Sequence, residues 1–479
     1  MNITIIGYII GWILNLEAAF MLLPIVTGAI YGEKELFCFL LTAVVSGALG
    51  LFLTHKKPED LHFHIKEGCV TVSLSWIVLS IVGAVPFVLS GAITHPIDAI
   101  FETVSGFTTT GASILSEVES LPRCILMWRS FTHWIGGMGV LVLLLSVVKM
   151  TGGSRMNLMK AESPGPSVDK LVPTVRSTAR ILYTIYLFLT VTEFIILLFC
   201  RMPLFDAITT TFGTAGTGGF GIKNDSIAGY SSTIQVVITI FMLLFGVNFN
   251  IYFLMLLRKW KQAFHSEEVR WYLVIVVSAI VLISWDIRGL YDSVGKLFLD
   301  ASFQVASVIT TTGFATTDFN QWPEVSRSIL VILMFIGACA GSTGGGIKVS
   351  RIIILLKGMR KELRQYLHPR QVRKIQFEGK LVEHDIVRNV NGFLALYIIV
   401  FVCSVFLLSF NGKDLITNFT AVAATINNIG PGLELVGPSA NFSVFNNLSK
   451  IVLIFDMLAG RLEIFPVVLL FMKDTWRKF

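Results

Sequence analysis

The amino-acid sequence predicts an all-α polytopic membrane protein, in which four similar units surround a common axis and two further spans precede them. Three observations predict this fold class. Only 14% of the 479 residues are charged and 54% are hydrophobic, whereas soluble domains carry about 25% charged residues. Apolar runs recur that approach or exceed the ~20 residues a helix needs to cross a bilayer core of about 30 Å. A short Thr- and Gly-rich pattern also returns about every hundred residues, which indicates a duplicated unit.

The apolar runs predict ten membrane spans, some of which need flanking residues to reach full length. They are Ile5–Ile30, Leu36–Thr54, Val70–Gly91, Trp134–Val148, Ile181–Cys200, Ile234–Leu257, Tyr272–Trp285, Ile329–Ile354 (interrupted by glycines), Phe393–Phe410 and Ile451–Met472. The first two are the additional amino-terminal spans, residues 1–54. The four units are expected at 55–160, 161–262, 263–365 and 366–479.

Most basic residues fall in loops that alternate along the chain, and these loops predict the orientation. The segments are 55–68, 149–180, 257–270, 348–388 and 473–479. Positively charged loops are retained in the cytoplasm, so both termini are expected there. These loops also account for the net charge of +7 without a nucleic-acid partner. The first basic residue is Lys34, so the charged start of a secretory signal peptide is not expected.

The repeated pattern lies on the other side of the membrane, after a segment too short to span. Its copies are DAIFETVSGFTTTG (98–111), DAITTTFGTAGTG (206–218), DASFQVASVITTTG (300–313) and the weaker TNFTAVAATINNIG (417–430). About eight helical residues reach only about 12 Å, so each unit reads as span, re-entrant helix, loop, span. Asp98, Asp206 and Asp300 are predicted to cap these helices. Thr417 stands at that position in the fourth copy, where Asn418 is the substitute.

The loops after these helices are predicted to form a filter for a monovalent cation. Irregular backbone at membrane depth must be buried in protein or line water, so the four loops should meet around an axis. Glycine-ended threonine runs then present rows of carbonyl oxygens that replace the ion's water shell. The predicted filter residues are Thr109, Thr110, Gly111, Thr217, Gly218, Thr311, Thr312, Gly313, Asn428, Ile429 and Gly430. The alternative is that the runs are helix-packing or turn motifs.

The sequence CAGSTGGGIK, beginning at Cys339, predicts a break in the third unit's second span. Each glycine costs a helix about 1 kcal/mol relative to alanine. The predicted gating residues are Gly341, Ser342, Thr343, Gly344, Gly345, Gly346 and Lys348, in a non-helical segment beneath the filter. Close helix packing through small residues is the alternative. Arg461 is a costly charge within the last span, explained by snorkelling, by pairing with Glu463 or Asp456, or by a place in the pathway.

Other conspicuous residues do not indicate an enzyme or a covalent cofactor. The scattered cysteines carry no CxxC pair, and no Walker A, GxSxG or HExxH motif is present. His62 and His64 form an HxH without a third ligand, so we expect a solvated loop. Arg129 and His133 are expected to serve packing or the contact between units.

These motifs resemble those of the Trk/Ktr/HKT superfamily of potassium transporters, and in particular its bacterial TrkH-type members, over nearly the whole chain. The resemblance rests on the four loops and on WIGGMGVLVL (134–143), CAGSTGGGIKVSR (339–351), NNIGPG (427–432) and AGRLEIFPV (459–467). It implies a bacterial inner-membrane protein and a homodimer, regulated by a cytoplasmic nucleotide-binding ring of the TrkA type. It also places Arg461 at the cavity below the filter. Gly111 favours potassium, because a serine there accompanies sodium permeation in the superfamily.

The expected function is therefore the pore-forming subunit of a potassium uptake system, with potassium as the transported, filter-bound metal ion. Two rivals stay open. A symporter that couples potassium to protons or sodium would need a membrane-embedded acidic relay, for which Glu17, Glu193 and Asp456 are candidates. A membrane-embedded receptor or assembly scaffold would carry no flux.

Overall fold

The fold is almost entirely helical, as the computed structural model shows for residues 3–58, 65–139, 175–371 and 374–476. In chain order the helices are α1 (Ile3–Phe20), α2 (Leu22–Tyr31), α3 (Leu36–Thr54), α4 (Ile65–Leu89), α5 (Pro96–Phe107), α6 (Arg123–Gly137), α7 (Val175–Phe199), α8 (Leu204–Gly216), α9 (Ser232–Phe245), α10 (Phe249–Leu256), α11 (Trp260–Phe264), α12 (Glu267–Asp286), α13 (Val294–Ile309), α14 (Glu324–Ile336), α15 (Val349–Leu367), α16 (His384–Ser409), α17 (Leu415–Ile426), α18 (Asn447–Arg461), α19 (Phe465–Leu469) and α20 (Lys473–Trp476). Between α15 and α16, strands β1 (Gln376–Phe377) and β2 (Lys380–Leu381) form an antiparallel hairpin that pairs Phe377 with Lys380.

Most of the predicted spans are present as long apolar helices. Within the described ranges, six are long enough to cross a membrane, and the pair α9–α10, bent by 89°, makes a seventh if it is one span. The six are Ile3–Tyr31, Leu36–Thr54, Ile65–Leu89, Ser177–Phe199, Glu267–Leu290 and His384–Ser409. The predicted membrane protein is confirmed, although the count of ten continuous spans is not.

Three further predicted spans differ from the structure. The predicted span Trp134–Val148 overlaps only the last residues of α6, which ends at Gly137. The residues of this span beyond 139 lie outside the described ranges. The predicted Ile329–Ile354 is two helices, α14 and α15, separated by a non-helical stretch. A continuous Ile451–Met472 is wrong, because α18 ends at Arg461 and the next residues reverse the chain. Glu463 and Ile464 both have positive φ, 59° and 65°, a conformation that a helix cannot continue through.

The four short segments before the repeated loops are helices α5, α8, α13 and α17, of 12, 13, 16 and 12 residues. They are longer than the eight residues predicted. At 1.5 Å per residue they reach about 18 to 24 Å, still less than the bilayer core of about 30 Å. Their carboxyl ends lead directly into the loops.

The predicted aspartate caps are wrong. Asp98 and Asp206 lie inside the first turns of α5 and α8, where Asp98 pairs with Lys450 at 2.5 Å and Asp206 accepts a 2.8 Å hydrogen bond from the Tyr230 hydroxyl. Asp300 lies in the middle of α13 and pairs with Lys296. Carboxylates in a first turn still favour the positive end of the helix dipole. Asp98 and Asp206 instead bond to side chains brought to them by the tertiary fold, whereas Lys296 is a neighbour of Asp300 on the same helix.

Only the fourth helix has an aspartate cap, and it comes earlier than the predicted Asn418. The Asp414 carboxylate accepts from the backbone N–H of Thr417 at 2.9 Å and from its hydroxyl at 2.6 Å. These hydrogen bonds lower the pKa of the Asp414 carboxyl, and the bond from the Thr417 hydroxyl has the larger effect. The cap satisfies one of the free N–H groups at the start of α17.

Candidate ion pathway

The four loops share one backbone conformation, although their sequences differ. Each has a residue in the left-handed region one or two residues after its helix ends, and a glycine with positive φ two residues later. The left-handed residues are Thr109, Thr217, Thr311 and Asn428, with φ between 54° and 60°. The glycines are Gly111, Gly219, Gly313 and Gly430, with φ of 79°, 73°, 83° and 98°. Glycine suits these positions because it adopts positive φ without the steric cost that a side chain adds.

Hydrogen bonds fix the register of the second loop and correct its predicted glycine. The N–H of Thr110 donates to the carbonyl of Ser105, five residues back, at 2.9 Å. Gly218 donates to Gly213 in the same way, also at 2.9 Å. Gly218 therefore corresponds to Thr110, and the equivalent of Gly111 is Gly219. The alignment of Gly218 with Gly111 is wrong by one position, because GTGG offers two glycines and the sequence does not say which one turns.

The loops touch one another in a closed cycle. A Cβ atom added to Gly111 would overlap the carbonyl oxygen of Gly218 in the second loop. A Cβ atom added to Gly219 would overlap the carbonyl oxygen of Thr312, and one added to Gly313 would overlap that of Ile429. A Cβ on Gly430 would lie 2.8 Å from the carbonyl oxygen of Thr110, which returns the cycle to the first loop. The backbones pack too closely for any side chain at these glycines.

All four of these glycines line one open cavity. We call the cycle of Gly111, Gly219, Gly313 and Gly430 the glycine ring. Gly218 is absent from the cavity's lining, which agrees with the corrected register.

The hydroxyl groups of the threonine triplets stabilise the loops through hydrogen bonds. The Thr108 hydroxyl donates to the carbonyl of Val104 at 2.7 Å and lies 2.8 Å from the hydroxyl of Thr110. The third loop repeats this arrangement with Thr310 and Thr312, 2.8 Å apart. In the fourth loop the Asn428 amide donates to the Thr110 hydroxyl at 2.9 Å and so ties that loop to the first. In each triplet the hydroxyls of the first and third threonines stabilise the turn, while the middle threonine adopts the left-handed conformation.

A buried ion pair supports the first two loops, and sequence reasoning missed its acid. Glu102, within α5, accepts from Arg129 Nε at 2.7 Å, and both side chains are almost fully buried. Glu102 also accepts from the Ser113 hydroxyl at 3.0 Å, while Arg129 donates to the carbonyl of Gly221 at 3.0 Å. His133 lies within 2.9 Å of the Gly106 carbonyl. Arg129 and His133 thus serve the contact between units, as predicted. The sequence feature that could have indicated Glu102 is an acidic residue within a predicted re-entrant helix.

Arg129→Met is expected to destabilise the protein by about 3–5 kcal/mol, because it leaves the Glu102 charge buried without its cation. The matched control is Arg388→Met. Arg388 pairs with Asp385 at the surface, where both side chains are at least 70% exposed, so its loss should cost no more than about 1 kcal/mol. Thermal unfolding of the purified variants in detergent measures the difference. Equal losses in the two variants would contradict a supporting role for the buried pair.

The glycine-rich stretch is non-helical, as predicted, over residues 337–348. We call it the intramembrane loop. It lies against the third of the four repeated loops: the N–H of Gly345 donates to the Thr311 hydroxyl at 2.6 Å. A Cβ on Gly344 would lie 2.9 Å from the Thr310 carbonyl oxygen, and one on Gly345 would overlap the carbonyl oxygen of Asn427. The glycines therefore allow this loop to approach the carboxyl ends of α13 and α17.

The intramembrane loop fits into the bend between α9 and α10. The N–H of Cys339 donates to the Gly246 carbonyl at 3.1 Å, and the N–H of Phe249 donates to the Gly341 carbonyl at 3.0 Å. Thr343 adds a bond from its hydroxyl to the carbonyl of Phe245 at 3.3 Å. The two helix breaks thus satisfy one another's backbone groups, as buried irregular backbone requires.

Two cations hold the intramembrane loop. Lys348 is buried and donates from Nζ to the Gly344 carbonyl within the loop itself. Arg461, at the end of α18, donates to the Thr343 carbonyl at 2.9 Å and to the carbonyls of Gly136 and Gly137 at the end of α6. The Arg461 guanidinium therefore connects the intramembrane loop to the first unit. None of the explanations predicted for Arg461 included this arrangement.

The three acids named for a coupled transport mechanism are all buried. Glu17, Glu193 and Asp456 have no exposed surface, and Asp456 accepts a 2.7 Å hydrogen bond from the Ser404 hydroxyl. They do not form a cluster, since no group of three potential metal ligands exists among the described residues. His62, His64 and residues 140–143 of the WIGGMGVLVL motif lie outside the described ranges.

The fold and this site define a class: a helical membrane protein in which four re-entrant helices deliver glycine-containing loops to one ring. The family model for TrkH, a cation transport protein, matches residues 34–478. The chain is 38% identical to "Trk system potassium uptake protein TrkH" of Salmonella typhimurium and 37% identical to that of Escherichia coli K12, with both chains covered completely. The crystal structure of the potassium transporter TrkH from Vibrio parahaemolyticus superposes with a TM-score of 0.90 at 33% identity over 100% of each chain. This chain belongs to the TrkH family of cation transport proteins.

The comparisons confirm the family resemblance and the fold class. The relatives are named as transport proteins, which agrees with the expectation that the chain is not an enzyme.

Proposed function

We propose that this chain is the pore-forming subunit of a potassium uptake system and conducts potassium inward through the glycine ring. The closed cycle of four loops carries the proposal, because each loop brings backbone carbonyls to its neighbour. Carbonyl oxygens replace the hydration shell of a monovalent cation. The names of its relatives as potassium uptake proteins support potassium as the ion.

The proposed filter residues are those predicted from the sequence, with Gly219 added to Gly218 in the second loop. Helices α5, α8, α13 and α17 end at the loops, so the partial negative charge of their carboxyl ends favours a cation there. Below the ring, the intramembrane loop is the proposed gate, and the Arg461 charge is the proposed barrier to cations. Contacts of Gly345 with Thr311 and of Arg461 with Thr343 support this placement.

Regulation is proposed to come from a cytoplasmic nucleotide-binding ring, on a homodimer in the bacterial inner membrane with both termini in the cytoplasm. The cytoplasmic part of α15 exposes large apolar side chains, among them Leu363 and Tyr366 at 66% and 86%. Such side chains suit contact with protein or lipid.

Uptake of rubidium into liposomes that contain the purified subunit tests the proposed function. Inward flux that potassium blocks and sodium blocks poorly is the expected result. A scaffold or receptor would give liposomes no more permeable than empty ones.

A proton-coupled symporter is the second candidate function, favoured by Glu17. Both oxygens of its carboxylate are buried without a hydrogen-bond partner among the described residues, and membrane-embedded acids mark proton pathways. An inward proton gradient should accelerate rubidium uptake for a symporter and leave a channel-like pathway unchanged.

Deleting Gly344–Gly346 is expected to raise flux in the absence of the cytoplasmic partner, because it shortens the segment that lies beneath the ring. Selectivity should be unchanged, since the glycine ring is intact. Rubidium uptake and its competition by sodium measure both properties. A deletion variant that folds and conducts no better than wild type would show that the segment serves packing.

A further inference from the structure

The Glu268 carboxylate holds both ends of the intramembrane loop. Glu268 lies in the first turn of α12, and its side chain is almost fully buried. Its Oε1 accepts from the N–H of Ala340 at 2.7 Å and from the N–H of Ser350 at 3.2 Å. Ala340 lies in the first part of the loop and Ser350 in the first turn of α15. One carboxylate therefore spans the segment that the proposed gate must move.

Glu268 also reaches the second helix break. Its Oε2 accepts a 3.4 Å bond from the side-chain amide of Asn248, the residue that caps α10. The Asn248 side chain lies beside Gly341, where an added Cβ would meet it at 3.1 Å. A single acid thus joins the bend between α9 and α10 to the loop that fits into it.

On its other side, the start of α12 is attached to the cytoplasmic hairpin. The turn between β1 and β2 consists of Glu378 and Gly379, both with positive φ, as in a two-residue type I′ turn. The Glu378 carboxylate accepts from the Ser266 hydroxyl at 2.8 Å and from the backbone N–H of Glu268 at 3.0 Å. Ser266 is the cap of α12. The hairpin tip therefore binds the residue that holds the intramembrane loop.

A second attachment joins the hairpin to α12 and α15. Lys357 of α15 pairs with Glu267 at 2.5 Å and donates to the carbonyl of Gln376 in β1 at 2.7 Å. Hairpin, α12 and α15 are thus connected at the cytoplasmic side of the intramembrane loop. A displacement of the hairpin has a continuous hydrogen-bonded route to that loop.

We infer that Glu268 is a positioning residue that couples the cytoplasmic hairpin to the intramembrane loop and holds this loop beneath the filter. The inference rests on the proposed function, since it assigns the route by which a cytoplasmic partner acts on the proposed gate. Glu268 binds the loop only where the loop now lies. Removing an interaction made in one conformation shifts the population toward the others. Loss of the carboxylate therefore releases the loop without touching the ring.

Rubidium uptake by the full-length subunit in liposomes, without a cytoplasmic partner, tests this inference. Glu268→Ala is expected to raise flux at least about five-fold, the lower range of allosteric couplings. Glu268→Gln keeps a carbonyl acceptor for Ala340 and Ser350 and should lie between alanine and wild type. Rubidium-over-sodium preference should stay at the wild-type value in both. A merely structural defect would reduce flux or disturb that preference.

Glu378→Ala cuts the route at the exposed hairpin tip, where folding is not at risk. It should raise flux in the same direction, and the double variant with Glu268→Ala should add little, because residues in one network are not additive. Asp385→Asn, which removes an exposed ion pair nearby, is the matched control and should behave as wild type. If wild-type liposomes take up rubidium but Glu268→Ala and Glu378→Ala conduct like wild type, or if their effects multiply independently, the coupling is overturned. If wild-type liposomes take up none, the proposed function fails instead.

Discussion

Gly313→Ser is expected to abolish most of the preference for potassium over sodium. Gly313 has a φ of 83°, and its added Cβ would overlap the carbonyl oxygen of Ile429 and lie 3.0 Å from Pro431. The neighbouring loop must therefore retreat, which displaces a carbonyl of the proposed filter. Since selectivity depends on the placement of these oxygens, sodium should compete with rubidium uptake far better than in wild type.

The control for this substitution is Gly412→Ser. Gly412 also has a left-handed φ, 68°, but no atom of the described residues lies within 4 Å of its added Cβ. Both variants carry the same backbone strain of about 1–2 kcal/mol, and only Gly313 has a backbone neighbour to displace. If both variants discriminate as wild type does, the third loop is not part of a filter.

Arg461→Ala is expected to raise basal flux about ten-fold or more. The guanidinium lies below the ring, where it donates to the Thr343 carbonyl at 2.9 Å and the Gly137 carbonyl at 2.8 Å. A positive charge several ångströms from the path costs a cation about 2–4 kcal/mol at an effective dielectric constant of about 20. The substitution removes this barrier and also frees the intramembrane loop from α6. Rubidium uptake without the partner measures the change.

Two further substitutions separate charge from hydrogen bonding at this position. Arg461→Lys keeps the charge and should retain low flux, whereas Arg461→Gln keeps a donor without the charge and should conduct as alanine does. A purely structural clamp predicts the reverse: glutamine near wild type, with alanine poorly expressed. Normal folding and unchanged flux in all three variants would remove Arg461 from the pathway.

The sequence alone determined the features that depend on local composition. Apolar length gives the spans because the bilayer core sets a minimum helix length. Glycines from Gly341 to Gly346 give the break between α14 and α15 because glycine opposes helix wherever it occurs. The repeated Thr- and Gly-rich pattern located the four loops and placed Thr109, Thr217, Thr311 and Asn428 in them, although it did not indicate their left-handed conformation. These inferences needed no knowledge of neighbours.

The tertiary structure decided everything that depends on residues distant in the chain. Gly219 rather than Gly218 turns the second loop because the carbonyl of Thr312 lies against it. Asp98 pairs with Lys450 instead of capping its helix, across more than 300 residues of chain. Glu102 and Glu268 were overlooked because an acid in an apolar chain is unremarkable until its partners are known, and Ala340 and Ser350 are 72 and 82 residues away from Glu268. Periodicity and composition report what a segment favours by itself, whereas buried charges and close backbone contacts are set by which segments the fold brings together.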